Sequence, residues 1–297
     1  MRTNKKLDAA YKNALKIDFD NSSKLVFISD THRGDDSLSD EFSRNKEIFY
    51  HALYHYYRDG FTYIEVGDGD ELWEQQHFEI IWNAHFRTFK ILKKFFNDGR
   101  LYMLYGNHNI QLKNPKYLEN NYYYVYDEYL CEKIPVFPGL KTYEALRLNN
   151  TDTSQEIFVI HGHQGDLFND QLHFFSLFII RFLWHALHLI GVRYAATPAK
   201  SRRRMHRVEK KHKKWSDLHN TLLICGHTHR PRFSEPSEGK YFNTGCGMHP
   251  QGITALEIEN GCISLVTWRI STKPDGMMYV KRTALKGPRP LADYTIS

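Results

Sequence analysis

Five short apolar runs constrain the fold of this chain, because each ends within two residues of Asp, Asn or His. The runs end at Ser29, Val66, Tyr105, Ile160 and Cys225. The polar residues that follow them are Asp30 and His32, Asp68, Asn107 and His108, His161 and His163, and His227 and His229. Such runs are typical of buried strands, and layered α/β folds collect ligands at the carboxyl ends of their strands. We therefore expect these side chains to converge on one place.

Helical periodicity separates the first three runs. The segments Asp40–Asp59 and Glu71–Asp98 have apolar residues near the helical period, and Gly60 and Gly99 follow them as stop signals. The order strand, helix, strand, helix, strand from Leu25 to Tyr105 predicts an α/β fold.

The rest of the chain has a more varied pattern. Residues 1–22 read as a polar lead-in with a short amphipathic helix, and residues 166–215 as a helical insertion, or lid, within a single domain spanning 1–297. We expect further strands at Tyr122–Tyr126, Ile134–Phe137, Tyr143–Leu148, Glu156–Ile160, Tyr241–Thr244, Ile253–Ile258 and Ile263–Arg269. Residues 273–297 are rich in Pro, Gly and polar residues, which predicts a loosely attached end.

Composition narrows the classes of protein only slightly. The net charge of +6 mildly favours anionic partners such as phosphates, nucleic acid or anionic lipid. The four cysteines have no paired spacing, which argues against a disulfide scaffold or a zinc knot. The polar N-terminus has no secretory signal pattern, so we expect a cytoplasmic protein.

The polar residues after the runs fit a site for two divalent cations. Asp68 has two carboxylate oxygens and can bridge both ions, and Asp30 and His32 lie on the same side of an extended segment. Asn107, His161 and His227 are expected on the second ion, and His229 on the first. This donor set suits manganese, iron or zinc better than calcium, and the donors alone do not select among the three. Manganese is the ion that we expect. Two carboxylates leave the site net positive, as a phosphate substrate requires.

The same motifs resemble those of the calcineurin-like metallophosphoesterases. They are Asp30-x-His32, Gly67-Asp68, Gly106-Asn107-His108, His161-Gly162 and Gly226-His-Thr-His229, in the order found in that family. The resemblance implies a four-layer α/β/β/α sandwich with a binuclear site formed by the seven residues Asp30, His32, Asp68, Asn107, His161, His227 and His229. It also implies that His108 lies close to the leaving group. The motif Gly226–Pro231, with Asn243-Thr-Gly245, is similar to the UDP-2,3-diacylglucosamine pyrophosphatase branch.

Three features depart from the family pattern. Asn109 stands where an acid usually follows the Asn-His pair, so carboxylate support for His108 as a general acid is absent at that position. Asp70 and Glu71 follow the bridging motif, where they are either outer supporting groups or an acid pair at a helix start. His161 and His163 both offer an imidazole, and His161 is preferred because it directly follows the apolar run.

The predicted lid has two unusual parts. Its apolar and aromatic stretch, Leu172–Tyr194, is interrupted by polar residues, which favours a buried or partner-facing helix over a membrane span. A lid that contacts lipid is the alternative for this stretch. The basic stretch, Lys200–Lys214, is either a solvated helix face or a contact for phosphate, anionic lipid or nucleic acid. Under the second hypothesis Arg202, Arg203, Arg204 and Arg207 bind substrate.

Together these features predict a phosphoesterase that hydrolyses a phosphate ester or pyrophosphate bond through a metal-bridging hydroxide. Its expected substrate is a phosphorylated small molecule or an amphiphile. Nucleic acid and peripheral contact with a membrane are left open as partners. Two alternatives stay open: a metal-dependent nuclease, and a non-catalytic binding protein that retains the fold.

Overall fold

Two β-sheets face each other in the computed structural model, which describes residues 2–127, 130–164 and 202–295. The larger sheet has the order β14-β13-β12-β2-β3-β4-β7 and the smaller one β1-β8-β9-β10-β11, while β5 and β6 form a separate antiparallel pair. The strands are β1 Leu15–Phe19, β2 Leu25–Ile28, β3 Thr62–Val66, β4 Leu101–Leu104, β5 Tyr124–Asp127, β6 Glu132–Pro135, β7 Thr142–Tyr143, β8 Ala145–Asn150, β9 Glu156–Ile160, β10 Leu222–Cys225, β11 Tyr241–Asn243, β12 Ile253–Glu259, β13 Cys262–Thr272 and β14 Met278–Pro290.

Helices cover the outer faces of both sheets. The described α-helices are α1 Arg2–Asn13, α2 Lys46–Arg58, α3 Phe78–Ala84, α4 Phe86–Asn97, α5 Pro115–Asn121 and α6 Arg202–His219. Short 3₁₀ helices lie at Ser43–Asn45, Ile110–Lys113, Pro236–Glu238 and Leu291–Tyr294.

Three hydrophobic layers confirm the α/β/β/α arrangement. The middle layer joins the inner faces of the two sheets, as Phe27 and Ile64 of the larger sheet and Val159 and Ile224 of the smaller one show. A second layer packs α2 and α4 against the larger sheet, and a third packs α1 and α6 against the smaller one. Because strands β2, β3, β9 and β10 are buried on both faces, their sequences are continuous apolar runs rather than alternating ones.

The strands that precede the predicted site run parallel within each sheet. In the larger sheet β2 pairs with β3 and β3 with β4, and in the smaller sheet β9 pairs with β10. Their carboxyl ends therefore lie at one edge of each sheet, and the polar loops that follow them meet there.

Two helix predictions were partly wrong. The segment Glu71–Asp98 is two helices, because His85 leaves the helical conformation between α3 and α4 (φ −121°, ψ 30°). Residues Glu71 to His77 are turn and extended backbone, so the sequence pattern placed the helix start about two turns too early. Helix α2 begins at Lys46, after a 3₁₀ turn, rather than at Asp40.

The C-terminal prediction was also wrong. Strand β14 forms a long antiparallel hairpin with β13, from Thr272 opposite Met278 to Cys262 opposite Pro290. Leu291 and Tyr294 then enter the core between the two sheets, where they are 1% and 2% exposed. The polar composition of this segment reflects the solvent-exposed faces of β14 and does not indicate a loose end.

Two further strand assignments were incomplete. The polar lead-in contains β1 in addition to α1, and β1 pairs in parallel with β8. The predicted strand Tyr143–Leu148 is divided between the sheets, since β7 pairs with β4 of the larger sheet and β8 pairs with β1 and β9 of the smaller one.

Residues 166–201 of the predicted lid, including Leu172–Tyr194, lie outside the described residues. Its remaining part is the first four turns of α6. Within the part of the chain that the structure describes, no helix is both long enough and apolar enough to cross a membrane.

Candidate metal centre

Five of the seven predicted metal ligands adopt a left-handed backbone conformation, with φ between 49° and 67°. They are Asp30, His32, Asp68, His227 and His229. Residues other than glycine rarely adopt positive φ, and each such residue costs on the order of 1–3 kcal/mol. This strain is concentrated where the strands end, and it turns the side chains of successive loops toward one point.

Backbone hydrogen bonds hold these strained turns in place. The backbone N–H of Asp30 donates to Gly67 O at 3.1 Å, and that of His32 donates to Asp68 O at 3.0 Å. The turn after β2 is thus locked to the turn after β3. Across the two sheets, the N–H of His227 donates to Asp30 Oδ2 at 2.9 Å.

Close packing explains two of the glycines in the motifs. A Cβ on Gly106 would lie 2.2 Å from Asp68 Oδ1, and a Cβ on Gly67 would lie 2.5 Å from His161 Nδ1. Only a residue without a side chain leaves room at these positions for Asp68 and His161.

One group of ligand atoms is formed by Asp30, His32 and His229, whose donor atoms lie within 4.8 Å of one another. Asp30 Oδ1 lies 3.1 Å from His229 Nε2 and 3.8 Å from His32 Nε2. Both Asp30 Oδ1 and His32 Nε2 are buried and have no hydrogen-bond partner among the described residues. These atoms therefore face a common point and do not satisfy one another.

A second group is formed by Asp68, His161 and His227, all of them buried. Asp68 Oδ2 lies 3.0 Å from His161 Nε2 and 3.9 Å from His32 Nε2 of the first group. Asp68 is thus the side chain that faces both groups. Its other oxygen, Oδ1, accepts the backbone N–H of His108 at 2.8 Å, which fixes the rotation of the carboxylate.

The hydrogen bonds of the ring nitrogens prepare two histidines for metal binding. His161 Nδ1 lies 2.9 Å from the carbonyl oxygen of Val66, and only an N–H can donate to a carbonyl, so Nδ1 carries a hydrogen and Nε2, which faces Asp68, is the nitrogen left for a metal ion. His32 Nδ1 lies 2.8 Å from Glu71 Oε2 in the same way. Such outer contacts are typical of metal-ligating histidines.

Asn107 is 2% exposed, and neither its Oδ1 nor its Nδ2 has a hydrogen-bond partner in the described parts of the chain. A buried amide without partners is costly in an ordinary core. A metal ion that accepts the carbonyl oxygen as a ligand would account for it. The buried unpaired atoms and the oxygen and imidazole donors together fit divalent ions such as manganese, iron or zinc.

The electrostatics of the centre favour bound cations. Burial opposes charge on His161, but the carboxylates of Asp68 and Asp30 outweigh it and raise the pKa of His161 to about 9. Burial raises the pKa of Asp30, but the imidazoles of His229 and His161 lower it well below the ordinary value. Both carboxylates therefore attract positive charge, whether it is a proton or a metal ion.

His163 stands apart from both groups of ligand atoms. Its ring centroid lies 5.6 Å from that of His161 and 6.5 Å from that of His227. Burial, together with the neighbouring imidazoles of His161 and His227, lowers the pKa of His163 well below the ordinary value.

Glu71 is a site residue to which sequence reasoning gave only a secondary role. Its Oε2 lies 2.8 Å from His32 Nδ1 and 2.7 Å from His108 Nδ1, so one carboxylate holds both rings. Burial raises the pKa of Glu71, but His108 and His32 outweigh it and lower the pKa to about 2. Glu71 thus supplies the support for His108 that Asn109 lacks. The ring of His108 also stacks on Trp73, with centroids 3.9 Å apart.

Asp70 is not a helix-start acid, since α3 begins at Phe78. It accepts a hydrogen bond from Arg33 Nε at 2.7 Å and one from Tyr122 OH at 2.8 Å. Arg33 is fully buried and also binds Glu65 through both terminal nitrogens, at 2.7 Å and 3.0 Å. This buried ionic network is joined to the turn that bears Asp68, because the backbone N–H of Arg33 donates to Gly69 O at 2.9 Å. No sequence motif indicated it.

Asn109 has a structural contact of its own. Its side-chain oxygen accepts the backbone N–H of Gly106 at 2.7 Å, which closes the loop that carries Asn107 and His108. A carboxylate could accept the same bond. Asn109 therefore closes this loop without placing a negative charge beside His108.

The four arginines predicted to bind substrate all belong to α6. Arg202, Arg203 and Arg204 lie in its first turn, and Arg207 is exposed to solvent. A cavity that His229 lines is also lined by two other cationic residues, Arg44 and Arg230. The substrate role of the four predicted arginines stays a prediction.

Comparison with known proteins gives matches among solved structures only. No family model and no curated protein matches the chain. Among solved structures, a single mutant of Vps29 from Entamoeba histolytica is 15% identical, with 89% of this chain and 99% of that chain covered and a TM-score of 0.33. Vps29 from Chaetomium thermophilum is 9% identical, with 92% and 100% covered and a TM-score of 0.40. These identities and TM-scores are too low to assign a function to this chain.

Proposed function

We propose that this protein is a calcineurin-like metallophosphoesterase that uses two divalent metal ions to hydrolyse a phosphate ester or pyrophosphate bond. The observation that carries the proposal is the position of Asp68. Its Oδ2 faces His161 at 3.0 Å and His32 at 3.9 Å, so a single carboxylate oxygen lies between the two groups of ligand atoms. A purely structural core gains nothing from an acid held between two histidine clusters, whereas a binuclear site requires one.

The proposed ligands divide between the two groups. Asp30, His32 and His229 would hold one ion, and Asn107, His161 and His227 the other, with Asp68 shared. When bound, two divalent ions supply an activated water and positive charge that balances the phosphate oxygens in the transition state. The donor set has only two carboxylates, so the site stays net positive toward a phosphate.

The proposed acid is His108. Glu71 is ionised and can only accept, so Nδ1 of His108 donates to it and the ring is held with Nε2 free to carry a proton. Stacking on Trp73 restricts the ring further. His108 would donate this Nε2 proton to the leaving oxygen.

Turnover of bis(p-nitrophenyl) phosphate with added manganese tests the proposal. Wild-type protein should hydrolyse it and contain metal by elemental analysis. Asp68→Ala should lose activity by at least about a hundredfold, together with metal content, because loss of a shared ligand disrupts both ions. Asp275→Ala, an exposed aspartate of the β13–β14 turn, serves as the control and should keep both. Normal turnover or full metal content in Asp68→Ala would contradict the proposed bridge.

Further assays on the same protein distinguish two alternative functions from the proposed one. The exposed basic residues Arg207, Lys210, Lys211 and Lys214 of α6 keep a nuclease in consideration. Cleavage of single-stranded DNA at rates well above those on small esters would favour it. Stoichiometric metal without turnover of any ester, nucleotide sugar or DNA would identify a binding protein that retains the fold.

A further inference from the structure

A cavity of about 390 Å³ lies beside the proposed metal centre. Its walls come from four places: the segment before α2, the first turn of α6, the loop after β10 and the loop after β11. His229 joins the two sites, because it lines the cavity and its Nε2 lies 3.1 Å from Asp30 Oδ1. A molecule bound at the metal ions can therefore extend into this cavity, whose volume suits a small organic group.

Two arginines line the cavity without full pairing. Arg230 Nη1 is buried and has no hydrogen-bond partner among the described residues, and the nearest carboxylate oxygen, Oε2 of Glu209, is 3.9 Å away. That distance is too long for a hydrogen bond. Arg44 is exposed and has no ion pair in the described ranges. Glu41 also lines the cavity and lowers its net charge, but it does not satisfy Arg230 Nη1.

One part of the wall of the same cavity is apolar. Met205, Met248 and Pro250 line it, and Met205 is 8% exposed. Thioether side chains are polarisable and adapt to flat rings, so this wall suits an aromatic or other compact apolar group. A cavity lined by unpaired guanidinium donors and thioethers thus fits a ligand that has an anionic group and an apolar group.

We infer that this cavity binds the leaving group of the substrate, and that this leaving group carries a second anionic group beside an aromatic or apolar moiety. The inference rests on the proposed function, since it places the scissile phosphate at the metal ions. Arg44 and Arg230 bind the second anion, by analogy with other guanidinium sites for phosphate and carboxylate. They are the residues that determine specificity, and the metal ligands are common to all substrates.

Three substrates test the inference. ADP carries a second phosphate that a ribose links to an aromatic base, phosphotyrosine carries a carboxylate near an aromatic ring, and p-nitrophenyl phosphate has no second anion. Arg44→Gln is the main variant because its side chain is exposed and the change should not affect folding. Arg230→Gln is the second, and Arg269→Gln, an exposed arginine of β13 outside the cavity, is the control.

Each cavity variant should raise KM at least about tenfold for ADP, for phosphotyrosine or for both, and by less than about twofold for p-nitrophenyl phosphate. A rise for ADP alone identifies phosphate as the second anion, and a rise for phosphotyrosine alone identifies carboxylate. An unchanged KM for both in Arg44→Gln, or equal losses on all three substrates, overturns the inference.

Calorimetric titration with ADP separates this inference from the proposed function. If the wild-type protein turns over none of the three substrates, the proposed function fails. The ADP affinity still tests whether the cavity binds an anion. Weaker ADP binding by Arg44→Gln than by wild type and Arg269→Gln then supports the anion site. Equal ADP affinity in all three proteins, or no binding, overturns it.

Discussion

At the scale of single residues, the centre is built from strained backbone and exact hydrogen-bond partners. Asp30, His32 and Asp68 accept positive φ because cross-loop hydrogen bonds hold them, and the resulting turns aim their side chains at one point. Glu71 is a further residue whose position matters, because its carboxylate contacts two histidine rings. One largely buried carboxylate orients a proposed metal ligand, His32, and the proposed acid, His108.

Glu71→Gln should therefore lower kcat by about 10- to 100-fold while the protein stays folded, since the amide keeps the shape but loses the charge that orients both rings. Steady-state kinetics and metal analysis measure this. Glu79→Gln, at an exposed position of α3, is the control. A Glu71→Gln enzyme with normal kcat and normal metal affinity would show that the two contacts have no role in the chemistry.

His161 and His163 make a second comparison at this scale. His161 Nε2 faces Asp68 at 3.0 Å, whereas the His163 ring belongs to neither group of ligand atoms. His161→Ala should lose most of the bound metal, and His163→Ala should keep most of it, as elemental analysis after gel filtration would show. The reverse ranking would transfer the ligand role to His163.

At the scale of secondary-structure elements, the strand ends were easier to predict than the helices and the C-terminal hairpin. A buried parallel strand is an apolar run that must stop where polar ligands begin, so β2, β3, β4, β9 and β10 are visible in the sequence. Strand β14 is an edge strand with mostly exposed side chains, and its polar composition resembles that of a loop.

Tyr294 tests whether this C-terminal segment is part of the core. Its ring packs between the sheets and its OH donates to Ser234 O at 2.7 Å. Tyr294→Ala should lower the free energy of unfolding by about 3–5 kcal/mol, as for other large-to-small core changes. Tyr279→Ala, in the exposed part of β14, should cost under about 1 kcal/mol. If urea titrations gave similarly small losses in the free energy of unfolding for both variants, the C-terminal segment would be loosely attached, as the sequence predicted.

At the scale of the whole molecule, the centre joins the two sheets. Asp30, Asp68 and Asn107 follow strands of the larger sheet, whereas His161, His227 and His229 follow strands of the smaller one. Ions bound by both sets would cross-link the sheets at one edge, in addition to the apolar layer between them.

Manganese should therefore raise the Tm of the wild-type protein, because a ligand that binds only the folded state stabilises it by about 4 kcal/mol at a thousand times its Kd. Scanning calorimetry with manganese and with EDTA measures the difference. Asp68→Ala should show little of this rise. An equal rise in both proteins would mean that the stabilising ions bind elsewhere.

The sequence alone determined the fold class, the order of the core strands and the residues that gather at their ends. These features follow from local rules, since burial on both faces gives apolar runs and a strand end gives a fixed place for polar ligands. The position of β1, the split between β7 and β8 and the break at His85 depend on pairing with distant segments, which local patterns do not contain.

Only the tertiary structure decided how the site is supported. It placed Glu71 between His32 and His108, paired Arg33 with Glu65 and Asp70, and formed the cavity of Arg44 and Arg230 from four separate segments. Each arrangement depends on side chains that are far apart in the sequence. The spacing of residues along the chain does not show which of these side chains will be in contact. The proposed ligands could be predicted from the sequence because they follow five apolar strands, whereas the contacts that support them depend on packing between segments that are distant in the sequence.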